Sequence, residues 1–188
     1  MDNRILLYHT GYQQIQNPDV HFGRTNADFG QGFYTTKDPE FAKRWARERK
    51  RSDTIINTYE LDLSGLDVLC LQRDDAWFTY IYHNRSGRPD AFPKKDVIIG
   101  PIANDTIFDT FGIVTSGILS PEQSLKLLQI GPVYEQVVLK TRKAAAHLHW
   151  ISSTVLDHAS LLSYQDTVHL EERSYQSAFA RCLEDLSL

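Results

Sequence analysis

Three short segments of the chain carry side chains that could hold a flat, ribose-bearing ligand. Leu7-Tyr-His-Thr-Gly11 ends an apolar run in a histidine, followed by a Thr-Gly turn. Gly30-Gln-Gly-Phe-Tyr-Thr-Thr36 sets two glycines ahead of an aromatic, strand-favouring run. Glycine permits positive φ and close approach of backbone to a ligand. Two strands that present His9 and Tyr34, each beside flexible backbone, suit a pocket for such a ligand. The third segment, Val133-Tyr-Glu-Gln-Val-Val-Leu-Lys-Thr141, places Glu135 and Gln136 side by side. Neighbours on a strand point to opposite faces, so only one of the two enters a cleft. Alternation groups Glu135 with Val137 and Leu139, and Gln136 with Tyr134, Val138 and Lys140.

The elements that must position these residues are signalled unevenly. Strands are expected at Arg4–His9, Gly30–Thr36, Ile55–Leu63, Leu66–Leu71, Asp96–Ile99 and Tyr134–Thr141, with Gly100-Pro101 stopping the fifth. Asp38 as N-cap, Pro39 at the first position and Glu40 open a helix whose apolar face is Phe41, Ala42, Trp45 and Ala46. Asp75–Asn84 reads as an aromatic helix, and Ser120-Pro121-Glu122 caps another through Gln129. Lys143–Trp150 follows the last strand as helix, and the final forty or so residues read as amphipathic helix. Strands and helices without regular βαβ spacing favour an α+β fold. With 188 residues, the chain suits one domain spanning 1–188. A composition 41% apolar and 23% charged is that of a soluble globular protein, and a net charge of −4 gives no global push toward nucleic acid or an anionic membrane. No window approaches membrane-span length, no apolar signal region precedes the first strand, and Cys70 and Cys182 read as two buried free thiols. These features fit a cytoplasmic protein.

The first two segments resemble the first two motifs of the ADP-ribosyltransferase superfamily. Within it, the chain looks closest to an uncharacterised bacterial domain family. The segments that carry the likeness are Leu7-Tyr-His-Thr-Gly11, Phe29-Gly-Gln-Gly-Phe-Tyr34, Tyr59-Glu-Leu-Asp62, Asn84-Arg85 and Gly100-Pro-Ile-Ala-Asn-Asp105. The likeness covers 5–150 and leaves 151–188 as a helical extension. It implies a split two-sheet core with flanking helices, NAD as the ADP-ribose donor, and transfer to a macromolecular acceptor that the sequence does not reveal. It assigns His9 to a ribose hydroxyl as donor, Thr10 and Gly11 to backbone contact with the carboxamide, and Gly32 and Tyr34 to the nicotinamide platform. Trp45, eleven residues after Tyr34, falls where a second aromatic sandwiches the ring. A toxin or effector with a small neutralising partner protein is implied by the same likeness.

The third motif departs from the superfamily, which places a glutamate there. In the look-alike family a glutamine before an apolar run holds this place, which favours Gln136 over Glu135 as the catalytic-position residue. Glutamine can hydrogen-bond a ribose hydroxyl but lacks the charge that stabilises an oxocarbenium. A carboxylate at about 4 Å contributes on the order of 4 kcal/mol at an effective dielectric near 20, so its loss slows the step about a thousandfold. The rivals to transfer are therefore NAD hydrolysis and a nucleotide-binding or protein-interaction module without activity. Other signals are weaker. His147-x-His149, read as helical, does not share a face, and no metal-binding spacing exists, so no metal is expected. Arg44-x-x-Arg47-x-Arg49-Lys50-Arg51 fits either a phosphate contact or a solvated helix face. Asn84-Arg85 fits either the cleft wall or a helix C-cap.

Overall fold

A computed structural model of the chain describes residues 3–46, 52–103 and 119–185. In chain order the elements are β1 (Arg4–Gly11), β2 (Phe33–Thr35), α1 (Pro39–Arg44), β3 (Ile55–Asp62), β4 (Val68–Cys70), α2 (Asp75–Arg85), β5 (Val97–Pro101), α3 (Pro121–Leu128), β6 (Glu135–Leu139), α4 (Arg142–Ala146), β7 (Leu148–Val155) and α5 (His158–Asp185). The architecture is α+β, with two sheets. One has the order β1-β3-β7 and is antiparallel throughout. The other has the order β2-β6-β5-β4, with only the β4–β5 pair parallel.

Strand β6 divides the interior because its alternating side chains are buried on both faces. Val137 and Leu139 join Leu7, Phe33, Tyr59 and Leu61 in a core between the two sheets. Val138 turns the other way, toward Phe29, Trp77, Tyr80 and Ile81, where α2 covers the second sheet. A run buried on both sides reads as continuously apolar, as Val137–Leu139 does. The cap signals for α1 hold in detail: the Asp38 carboxylate accepts from the N–H groups of Glu40 and Phe41 at 2.8 and 3.2 Å, with Pro39 opening the helix. At α3, Ser120 and Gln123 form a capping box.

Among the described residues, one backbone pair joins the sheets. Tyr8 donates to Thr36 at 2.8 Å and accepts from it at 3.0 Å. Beyond this bridge β1 and β2 separate. Successive residues of an antiparallel strand alternate the side to which their N–H and C=O point. Thr10, like Tyr8, therefore turns its backbone groups toward the β2 side, at the opening.

Several expectations need correction. Lys143–Trp150 is not one helix: Thr141 caps the short α4, which ends at His147, and Leu148–Val155 leaves as β7. Residues 151–155 therefore belong to the sheet, and the helical extension proper is α5. His147 accordingly caps α4, with Nδ1 3.1 Å from the Asp62 carbonyl, while His149 lies on β7. Strand β5 runs through Gly100 to Pro101 instead of stopping before them, since Gly100 and Pro101 pair with Gln136 and Glu135. The second and fourth strands are three residues each. Both cysteines are free, but neither is buried: Cys70 is exposed on β4, the edge of its sheet, and Cys182 is half-buried. Among the described residues no helix is long and apolar enough to cross a membrane.

The two glycines of the aromatic segment serve different ends. Gly30 adopts φ +69°, which an L side chain rarely tolerates. Gly32 is needed for closeness: a Cβ there would stand 2.6 Å from Val138 Cγ1 and 2.7 Å from the Leu139 carbonyl oxygen. Gly32→Ala is expected to destabilise the protein by roughly 1–3 kcal/mol, the usual range for overpacking. Urea unfolding of the variant measures this, and an unchanged midpoint would contradict the close β2–β6 approach.

Candidate functional site

Tyr34, the middle residue of β2, is fixed by its own hydroxyl. The phenol donates to the Gly30 carbonyl at 2.6 Å and accepts from the Phe29 N–H at 3.0 Å. Burial, reinforced by the charge of Asp28, pushes its ionisation far up, so the group stays a neutral donor. The loop it grips is held from the other side as well. The Phe29 carbonyl accepts from Lys140 Nζ and, at 3.4 Å, from the Tyr80 hydroxyl. The Asp28 carbonyl accepts from Asn84 at 2.9 Å. Arg85 donates Nε and Nη2 to Asp28 Oδ1 at 2.8 and 2.7 Å, in a pair whose side chains are only 6% and 9% exposed. Asn84 and Arg85 thus leave the C-terminal turn of α2 to anchor the loop that seats Tyr34.

His9 is positioned by β1 and β2 together. Its Nδ1 lies 2.7 Å from the Tyr34 carbonyl, and its ring centroid is 4.6 Å from that of Phe33. A carbonyl can only accept, so Nδ1 carries the proton. Burial lowers the imidazole's affinity for a second proton, partly offset by the Tyr34 carbonyl. Neutral His9 therefore presents Nε2 as an acceptor, the reverse of the donor role implied by resemblance. Gly11 leaves room for it: a Cβ there would lie 3.3 Å from Nε2. Thr10 uses its hydroxyl structurally, donating at 2.5 Å to the Ala42 carbonyl of α1.

Two clefts meet at Tyr34. The larger, about 620 Å³, is lined by His9, Gly11, Tyr12, Phe22, Gly32 and Phe33 together with Tyr34. The smaller, about 340 Å³, is lined by Arg24, Asp28, Trp45, Ile102 and Gln136, again with Tyr34. Trp45 reaches it from the C-cap of α1, its ring edge-on to Phe41 at 4.8 Å. Gln136 is 2% exposed, and among the described residues its Nε2 has no hydrogen-bond partner. An unpaired buried amide costs about 1–3 kcal/mol, so this donor is open to a ligand acceptor. Glu135 points elsewhere and forms an exposed ion pair with Lys37.

The residues singled out in the sequence thus fall into two groups around one ring. His9, Gly11 and Gly32 share the larger cleft with Tyr34, whereas Trp45 and Gln136 share the smaller. Thr10 contributes its open backbone edge, and Glu135 joins neither cleft. Arg24 and Asp28 belong to the smaller cleft but lie in the irregular stretch before Phe29, where no periodic pattern flags them. The one available signal for Asp28 was Arg85, its buried counter-ion. Arg44 of the basic run pairs with Glu171, while Arg47, Arg49, Lys50, Arg51, Asn104 and Asp105 lie outside the described residues.

The Asp28–Arg85 pair generates a direct test. Removing one partner of a buried pair leaves an uncompensated charge and typically costs about 3–5 kcal/mol. Arg85→Met should therefore lower stability by about that amount in chemical denaturation, and a loss under about 1 kcal/mol would show that water already screens the pair.

The chain matches no curated protein and no solved structure. Residues 5–150 match a family described as "Protein of unknown function (DUF3990)". That span begins at the second residue of β1, contains β2 through β6, both clefts and every residue that lines them, and ends within β7. On this match, the chain belongs to the DUF3990 family.

Proposed function

We propose that the protein binds NAD across the two clefts and transfers ADP-ribose from it, acting as a mono-ADP-ribosyltransferase. The observation that carries this reading is the wall of the smaller cleft, where Tyr34, Trp45 and the unpaired amide of Gln136 surround one space. A nicotinamide ring is flat and gains about 1–3 kcal/mol when stacked on an aromatic side chain. The open backbone edge of Thr10, held against α1 through Ala42, suits the carboxamide. Gln136 Nε2 then donates to a hydroxyl of the adjoining ribose. On the far side of Tyr34, His9 Nε2 accepts from the second ribose, and Tyr12 and Phe22 offer ring faces to the base. Arg24, lining the smaller cleft, supplies positive charge for the pyrophosphate.

In the transfer, the ribose–nicotinamide bond breaks, its electron pair leaves with nicotinamide, and an acceptor nucleophile takes the vacated carbon. Positive charge builds on the ribose as this happens. Around the smaller cleft, where the bond breaks, Asp28 of its wall is ion-paired with Arg85, and Glu135 beside Gln136 is ion-paired with Lys37. Rate acceleration therefore rests on orientation and on shielding from water, and the acceptor's proton passes to a base the acceptor brings or to solvent. Among the described residues the smaller cleft has no carboxylate free of an ion pair, which favours one second reading, a binding module that holds NAD without cleaving it. The resemblance also supports a cytoplasmic toxin or effector with a small neutralising partner protein.

Incubation with NAD separates these readings. Nicotinamide release together with labelled ADP-ribose on macromolecules of a cell lysate is the expected result. Release without label would indicate hydrolysis, binding without release the module, and absence of binding would refute the reading. Gln136→Ala should abolish release while Glu135→Ala leaves it largely intact; the opposite ranking would move the site to the other face of β6.

His9 yields a prediction with a defined sign. Its proton affinity lies below the ordinary value of 6.5, so the ring is neutral at and above that pH. NAD affinity should be flat from alkaline pH down to about 6.5 and fall below it, as protonation turns Nε2 from acceptor into donor. In His9→Ala that acid limb should disappear, with affinity reduced by roughly 1–3 kcal/mol. Calorimetric titration across pH measures both effects, and an unchanged acid limb in the variant would assign the titration to another group.

A further inference from the structure

Helix α5 lies beyond the family match, yet one of its carboxylates is bonded to two residues that pack behind the wall of the smaller cleft. Arg44 Nε donates to both oxygens of Glu171 at 3.1 Å, and Nη2 donates to Oε1 at 2.8 Å. The Tyr134 hydroxyl lies 3.2 Å from the same two oxygens. The Arg44 guanidinium stands over the Tyr134 ring, 5.1 Å from its centroid. Tyr134 in turn stacks on Phe41, with centroids 4.4 Å apart and planes 7° from parallel. Phe41 packs edge-on against Trp45. Tyr134 also precedes Gln136 by two residues, and its carbonyl accepts from the Ile102 N–H at 2.8 Å. Trp45, Ile102 and Gln136 are three walls of the smaller cleft.

We infer that Glu171 is a positioning residue: through Arg44 and Tyr134 it sets the placement of Trp45 and Gln136, and with it the fit of the nicotinamide end of NAD. The inference rests on the NAD reading for the ligand, but not for the mechanical link. The fork is half-buried, with side chains 20% and 26% exposed, so solvent screens it less than an ordinary surface pair. A carboxylate can take both arms of the guanidinium and the phenol at once. An amide in its place has one accepting oxygen, so Arg44 loses an arm and its hold over Tyr134. Docking of α5 has a second anchor apart from the fork. Tyr175 and Phe179 pack into a separate cluster with Leu119 and Leu127, partly enclosed by Cys182 and Leu183. Loss of the Glu171 charge should therefore leave the helix seated and disturb only the wall.

The test compares wild type, Glu171→Gln, Arg44→Gln and the double variant, all as full chains labelled with 5-fluorotryptophan. Nicotinamide and AMP are titrated separately, because they probe the smaller and the larger cleft. Glu171→Gln should weaken nicotinamide roughly tenfold, the scale of one charge-assisted hydrogen bond, and leave AMP affinity unchanged. The Trp45 fluorine resonance should shift while those of Trp77 and Trp150 stay in place. Arg44→Gln should reproduce the effect, and the double variant should be no worse than either single one, as expected of one shared interaction. Equal weakening of nicotinamide and AMP would mark a general structural defect and overturn the proposal, as would an unmoved Trp45 resonance whatever the affinities. If the wild type binds neither probe, the NAD reading fails, and the Trp45 shift alone decides whether Glu171 positions the wall.

Discussion

The site exists because, among the described residues, the two sheets are joined by a single backbone pair, Tyr8 with Thr36. Backbone donors and acceptors demand partners, and past that bridge β1 has none from β2. The gap is framed from both sides. On one, Asn57 of β3 accepts from the Ile15 N–H and donates to the Gln13 carbonyl, each at 3.0 Å, while the Tyr59 hydroxyl donates to the Ile15 carbonyl at 2.7 Å. These bonds hold the segment after β1 away from β2. On the other, the Thr35 and Thr36 hydroxyls donate to β6 carbonyls, tying β2 to the strand that carries Gln136. Separation of the sheets and rigidity of each wall thus come from the same set of polar anchors.

Much of this was legible where local chemistry decides the outcome. Asp38-Pro39 and Ser120-Pro121 start helices because their side chains satisfy N–H groups only two or three residues away. Alternation through β6 sorted Glu135 from Gln136, since the pleat is a local rule. Strand β7 was missed for the opposite reason. Its Ser152-Ser153-Thr154 run has no apolar alternation, and it is a strand only by pairing with β3, which itself carries a bulge between Thr58 and Tyr59. The three-residue strands likewise owe their existence to neighbours in the sheet.

The site divides along the same line. His9 and Tyr34 stood out because glycines beside strand-forming aromatics are a sequence-level signal. Arg24 and Asp28 did not, for their placement depends on contacts distant in sequence; Asp28 meets its counter-ion 57 residues downstream. The tautomer of His9 was equally out of reach, since it is set by the carbonyl of Tyr34 on another strand. Sequence identified which groups were available, while tertiary contacts determined which of them donate and which accept.

Tyr34 is a wall of both clefts at once. A ligand with one flat head meets only half of this arrangement. Joining two such heads by a short tether turns the second binding event into an intramolecular one, with an effective concentration in the millimolar range. Fragments can then be weak binders individually while the joined molecule is held firmly. Severing the tether, or the bond beside either head, dissolves that advantage and lets the pieces depart separately. On the NAD reading proposed above, the shared ring would favour an intact two-headed molecule over its separate parts.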